Sequence, residues 1–109
     1  MPTRNVIEYL THDGVSPFAK WFARLDVAAA AKVATALYRM EQGNLSNIKP
    51  VGQGVAEYRI DFGPGYRLYL GQDGQTLIIL LGAGQKKGQN ADIQRAQQCW
   101  RDYKTRKRK

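Results

Sequence analysis

A chain of 109 residues, 43% of them hydrophobic, has room for one domain around one core of modest size, spanning residues 1–109, and for no second domain. Its 17 Lys and Arg against 9 Asp and Glu leave a formal charge of +8, an imbalance that calls for a polyanionic partner. One cysteine, Cys99, and one histidine, His12, exclude a disulfide within the chain and a zinc site built from the pair, and no apolar run approaches the roughly 20 residues that cross a bilayer, so the expectation is a cytoplasmic protein without a membrane partner.

Turn residues and changes of hydrophobic period divide the chain. Arg4 to Leu10 is rich in β-formers and stops at Thr11-His12-Asp13-Gly14, which predicts a first strand with His12 exposed in the turn after it. Ser16 caps a short helix that Pro17 opens, with Phe18, Trp21, Phe22 and Leu25 as its apolar face. Asp26 caps a second helix over Val27 to Gln42, where Ala30, Val33, Ala34, Leu37 and Met40 recur at helical spacing and Gly43-Asn44 ends the run. Two helices joined this tightly predict an antiparallel hairpin.

Beyond Gly54 the period becomes two. In Val55 to Phe62, Ala56, Tyr58, Ile60 and Phe62 point one way and Glu57, Arg59 and Asp61 the other, the pattern of a strand with one buried face. Gly63-Pro64-Gly65 turns the chain into Tyr66 to Leu70, which alternates again with Arg67 and Tyr69 outward. Asp73-Gly74 signals a second hairpin, and the doubly apolar run Thr76 to Leu81 predicts a strand near the sheet centre. A glycine-rich loop over Gly82 to Gln89 leads to a last helix capped by Asn90, with Ile93, Ala96, Trp100 and Tyr103 on one face. That helix runs into a tail in which Arg101, Lys104, Arg106, Lys107, Arg108 and Lys109 face Asp102 alone. The predicted order is β-α-α-β-β-β-α, an α+β fold.

A meander over the middle strands makes Val55 to Phe62 and Tyr66 to Leu70 neighbours, and cross-strand side chains on one face lie about 5 Å apart. Glu57, Arg59, Arg67 and Tyr69 then share one patch, with Lys86 and Lys87 delivered to a sheet end by the loop. Cutting RNA without a metal takes a base for the 2′-hydroxyl, cations for the charge that builds on phosphorus, and an acid for the leaving 5′-oxygen. Arg59 and Arg67 suit the phosphate because guanidinium binds it bidentately and stays charged. Lys86, Lys87 and Glu57 are the candidate bases. Alternation of charges along a strand is equally the mark of a solvated sheet face with mutual ion pairs, so the residues alone imply a basic domain that binds nucleic acid.

These same residues carry a resemblance. Gly43-Asn44, the run Lys49-Pro50-Val51-Gly52-Gln53-Gly54-Val55, Glu57-Tyr58-Arg59-Ile60, and Gly63-Pro64-Gly65-Tyr66-Arg67-Leu68-Tyr69 stand in order with Leu80-Leu81-Gly82, Lys86, Asp92-Ile93 and Ala96. Over almost the whole chain this resembles the RelE/ParE superfamily and, within it, the HigB-like "addiction module killer protein" group. The resemblance implies a RelE-like fold, a small twisted and mainly antiparallel sheet with an N-terminal helical hairpin and a C-terminal helix. It implies the toxin of a type II toxin-antitoxin system, a ribosome-dependent mRNA endoribonuclease that needs no cofactor. Arg67 comes first among the implied site residues, followed by Lys86 and Arg59; position more than motif adds Glu57 and Lys87 beside them, and Tyr69, Arg101, Lys104 and Arg106 as contacts for RNA. The chain departs from the family pattern at Gln85, where an acidic residue is common, and at Lys87, where a small hydroxyl residue is common. The implied partners are mRNA and the ribosome and a cognate antitoxin with a helix-turn-helix domain, operator DNA being met only through the antitoxin complex. The alternatives are a ParE-type inhibitor of DNA gyrase that does no chemistry, and an inactive binding protein.

Overall fold

The computed structural model describes residues 3–107, and its elements are β1 (Asn5–Glu8), α1 (Pro17–Phe22), α2 (Val27–Glu41), β2 (Ile48–Pro50), β3 (Val55–Ile60), β4 (Tyr66–Asp73), β5 (Leu77–Gln85) and α3 (Gln89–Lys107). Two of the three predicted caps form: the Ser16 hydroxyl accepts from the Ala19 amide at 3.0 Å and Asp26 Oδ1 from that of Ala29 at 2.8 Å, whereas Asn90 lies inside the last helix, which already begins at Gln89. Gly43, at φ +85°, takes the left-handed turn that ends α2. The stripe that α2 buries is Ala29, Val33, Ala36 and Met40 with Leu37 packed beside it, so the predicted Val33, Leu37 and Met40 face the core, and Ala29 and Ala36 take the place expected for Ala30 and Ala34 because a run of alanines marks no face.

Five strands form one mixed sheet in the order β1-β5-β4-β3-β2, so the fold is α+β with three helices. β1 runs parallel to β5 and every other neighbour is antiparallel. β2 adds a strand to the predicted order; with three residues and Pro50 it reads as loop, and it is held at the sheet edge by pairing Ile48 with Tyr58 and Lys49 with Glu57. The predicted glycine loop is also corrected, since β5 runs through Gly82 and Gly84 to Gln85. Its ladder with β4 slips by one residue between Tyr69 and Leu70, leaving Leu81 unpaired as a bulge.

Both faces of the sheet are covered. On one, Phe18, Val33 and Met40 of the first two helices pack on Tyr58, Leu68, Leu70, Ile78 and Leu80, with α1 against β5 and α2 against β1 and β3. On the other, Ala96 and Trp100 of α3 pack on Val55, Tyr69, Ile79 and Leu81. Each fully buried aliphatic side chain contributes about 1.5–3 kcal/mol. The outward face predicted for Glu57, Arg67 and Tyr69 is therefore not solvated but roofed by α3. Among the described residues no helix is long and apolar enough to cross a membrane.

α3 is fastened along its length. Trp100 lies on Gly71, where an added Cβ would stand 2.5 Å from its ring, and stacks on Tyr103 with centroids 5.3 Å apart. Tyr9 Oη donates to Asp102 at 2.6 Å and Tyr103 Oη to Asp73 at 2.7 Å. Burial first, then the hydrogen bond to its carboxylate, pushes each phenol up to about 12. The bond from Tyr9 holds Asp102 below its usual range, and Lys107 followed by Tyr103 does the same for Asp73.

Replacing Gly71 with valine should cost about 1–3 kcal/mol, read as a lower urea midpoint with an unchanged slope. The raised phenols give stability that is whole below pH 10, where the unfolded tyrosine begins to ionise, and that drains away as pH climbs to about 12. The urea midpoint should fall across that window, and fall less in a Tyr9→Phe, Tyr103→Phe double variant.

Candidate nucleic-acid interface

The turn at Gly63, Pro64 and Gly65 makes β3 and β4 a hairpin whose register sets Glu57 opposite Tyr69 and Arg59 opposite Arg67. On the far side of β4, Arg67 is opposite Gly84, and the Lys86 amide donates to the Gly65 carbonyl at 3.0 Å. Hairpin and strand exit thus enclose an open hollow of about 700 Å³ lined by Arg59, Arg67 and Lys86, with Lys49 of β2 and Asp61 on its walls. Arg59, Lys86, Lys49 and Asp61 are exposed, whereas Arg67 is 6% exposed.

Arg67 is held from behind. Its Nε lies 3.4 Å from Oε1 of Glu57, and Gln89 Nε2 at the start of α3 donates to Oε2 of Glu57 at 2.7 Å. Glu57 is 1% exposed and belongs to the interior beneath α3, away from the hollow. Two polar atoms of this cluster, Arg67 Nε and Tyr69 Oη, are buried without a hydrogen-bond partner. Burial, and after it the charge of Glu57, keeps the Tyr69 phenol far above its ordinary range. Tyr69 is 0% exposed, so no base can stack on it.

The remaining predicted residues lie elsewhere. Lys87, in the turn after β5, lines a different groove from Lys86. Lys104 sits over the Trp100 ring at 5.5 Å, and Arg106 is engaged by Asp102 at 2.8 Å, by the Leu10 carbonyl and by the Tyr9 ring at 5.2 Å. Arg101 is exposed on α3, and none of these three lines the hollow. Arg108 and Lys109 fall outside the described residues. Sequence reasoning missed Lys49, whose strand it did not see, and Gln89, a neutral residue with no charge to single it out. It counted Asp61 only as part of the alternation. Among the described residues no group of three or more His, Cys, Asp or Glu side chains gathers closely enough to hold a metal ion.

A carboxylate and a guanidinium this deep tolerate each other and not solitude: removing one partner of a buried pair costs about 3–5 kcal/mol, because the other charge stays behind in a poor solvent. Glu57→Gln should therefore lower unfolding free energy by that order, while Arg59→Gln, at an exposed position, should change it by less than about 0.5 kcal/mol in the same urea titration.

The chain matches no protein-family model. It is 41% identical over 80 residues to an uncharacterized protein of Haemophilus influenzae, an alignment that spans 72% of this chain and 81% of that one. At that identity and coverage, the hollow and its supports stand in a chain that belongs to the same family as the Haemophilus influenzae protein.

Proposed function

We propose that this chain is the toxin of a type II toxin-antitoxin pair, a HigB-like member of the RelE/ParE superfamily that cuts messenger RNA on the ribosome without a metal. One observation carries the reading. Arg59 and Arg67 stand directly opposite each other on paired strands, with Lys86 and Lys49 around the same hollow. Like charges in direct cross-strand register repel, and Glu57 compensates Arg67 only from the buried side. A phosphate in the hollow relieves that repulsion, which makes the arrangement costly when empty and favourable when an RNA backbone lies in it.

In the proposed reaction Arg59 and Arg67 grip the scissile phosphate and neutralise the charge that builds on its oxygens. The 2′-oxygen gives up its proton, bonds to phosphorus to form a 2′,3′-cyclic phosphate, and expels the 5′-oxygen, which takes a proton in turn. Of the three candidate bases only Lys86 lines the hollow, so it is the proton acceptor in this reading. Lys49, the other lysine on the walls, is the donor to the leaving oxygen. Glu57 is a positioning residue that aims Arg67. The partners belonging to this reading are the translating ribosome and an antitoxin with a helix-turn-helix domain, through which the pair reaches operator DNA, and its setting is the cytoplasm.

Purified protein added to a translation reaction should leave messages with new ends inside the reading frame. Lys86→Ala, an exposed change that spares the buried pair, should reduce them about 100-fold. Intact messages would sink the proposal, and intact messages accompanied by blocked DNA supercoiling would point to gyrase instead.

A further inference from the structure

β5 outruns its outer neighbour. Glu8 of β1 pairs with Leu80, and the Tyr9 amide closes that ladder on the Leu80 carbonyl at 2.9 Å, whereas β5 continues to Gln85 with β4 on its inner side. Leu81 to Gln85 therefore present an open backbone edge, which among the described residues no hydrogen bond crosses. Such an edge invites a further strand unless something covers it.

The edge floors a groove of about 780 Å³ between α1 and α3. One wall is apolar through Pro17 and Trp21, the other through Ala96 and Cys99, and the floor carries the small residues Gly82, Ala83 and Gly84. Its two carboxylates are already engaged, Asp92 by Arg95, and Asp102 by Tyr9, His12 and Arg106. Arg24 and Lys87 have no acidic partner among the described residues, so the uncompensated charge of the rim is positive.

We propose that this groove docks an extended acidic segment of a partner protein, which joins the sheet as a strand beside Leu81 to Gln85. Main-chain hydrogen bonds satisfy the open edge, and alternate side chains of the guest fall toward α1 and toward α3. Its carboxylates meet Arg24 and Lys87, which steer the encounter. A nucleic acid fits less well, because the walls are apolar and the open edge of β5 offers main-chain donors and acceptors that a strand pairs with and a phosphate backbone does not. The groove stands apart from the cationic hollow, whatever that hollow binds.

The test uses the full chain, ¹⁵N-labelled, with a short synthetic peptide alternating glutamate with valine or isoleucine and a counterpart carrying lysine for glutamate. The acidic peptide should shift the amides of Leu81 to Gln85 and protect them from exchange, and the basic one should bind at least about tenfold more weakly. Arg24→Glu should weaken the acidic peptide by a similar factor, while Arg39→Glu, the same charge change on α2, should not. Failure of the acidic peptide to bind, equal binding of both peptides, shifts confined to other segments, or the same amides answering a single-stranded RNA oligomer in its place would overturn the docking site. Message cutting should be the same in Arg24→Glu as in the parent chain, so the fate of the groove and that of the hollow are read separately.

Discussion

Glu57 lies beneath α3 with 1% of its surface in contact with solvent, and a carboxylate so far from water must be compensated by the protein itself. Arg67 supplies the charge at 3.4 Å and Gln89 a hydrogen bond at 2.7 Å. Because Gln89 begins α3, the helix cannot be laid on the sheet correctly without completing this shell, and because Arg67 sits in β4, completing it fixes which part of the guanidinium remains for the hollow. Packing and electrostatics meet in one place: Trp100 on Gly71 presses the helix down, and the buried pair decides where its first turn lands.

Much of the fold was legible because its signals are local. Ser16 with Pro17 and Asp26 announced two helices, and Gly63-Pro64-Gly65 between alternating runs announced the central hairpin. What failed was nonlocal. Alternation in Val55 to Ile60 says that residues take turns facing two sides, and it does not say whether the second side meets water or a helix, so an interior ion pair passed for surface charge. Gly82 and Gly84 looked like a loop; they belong to a strand, and over Gly84 the approach of Asp92 leaves no room for a Cβ. β2 was invisible because three residues with a proline carry no period.

The candidate site was legible to the same degree and for the same reason. Arg59, Arg67 and Lys86 come together through strand pairing that the hairpin turn and the end of β5 dictate. Lys87 parts from Lys86 in the turn after β5 and lines a different groove, and of the tail cations Lys104, Arg106 and Lys107 are spent on fastening α3, over Trp100 and Tyr9 and against Asp102 and Asp73. The large positive charge of the chain is thus divided between fastening a helix and lining the hollow, which a charge count cannot separate.

The unpaired Leu81 sets the phase of everything after it. Counting two by two from Ile79, which faces α3, would bring Ala83 and Gln85 beneath the helix; the extra residue brings Gly82 and Gly84 there instead and hands Ala83 to the opposite core. A strand that took Leu81 into regular pairing would keep all its hydrophobic content yet drive the Ala83 methyl into the space Asp92 occupies over Gly84. Removing Leu81 leaves Gly82 and Gly84 beneath the helix by the same count, so this point of the sheet should tolerate the loss of one residue better than the gain of one, a preference of which sequence composition gives no warning.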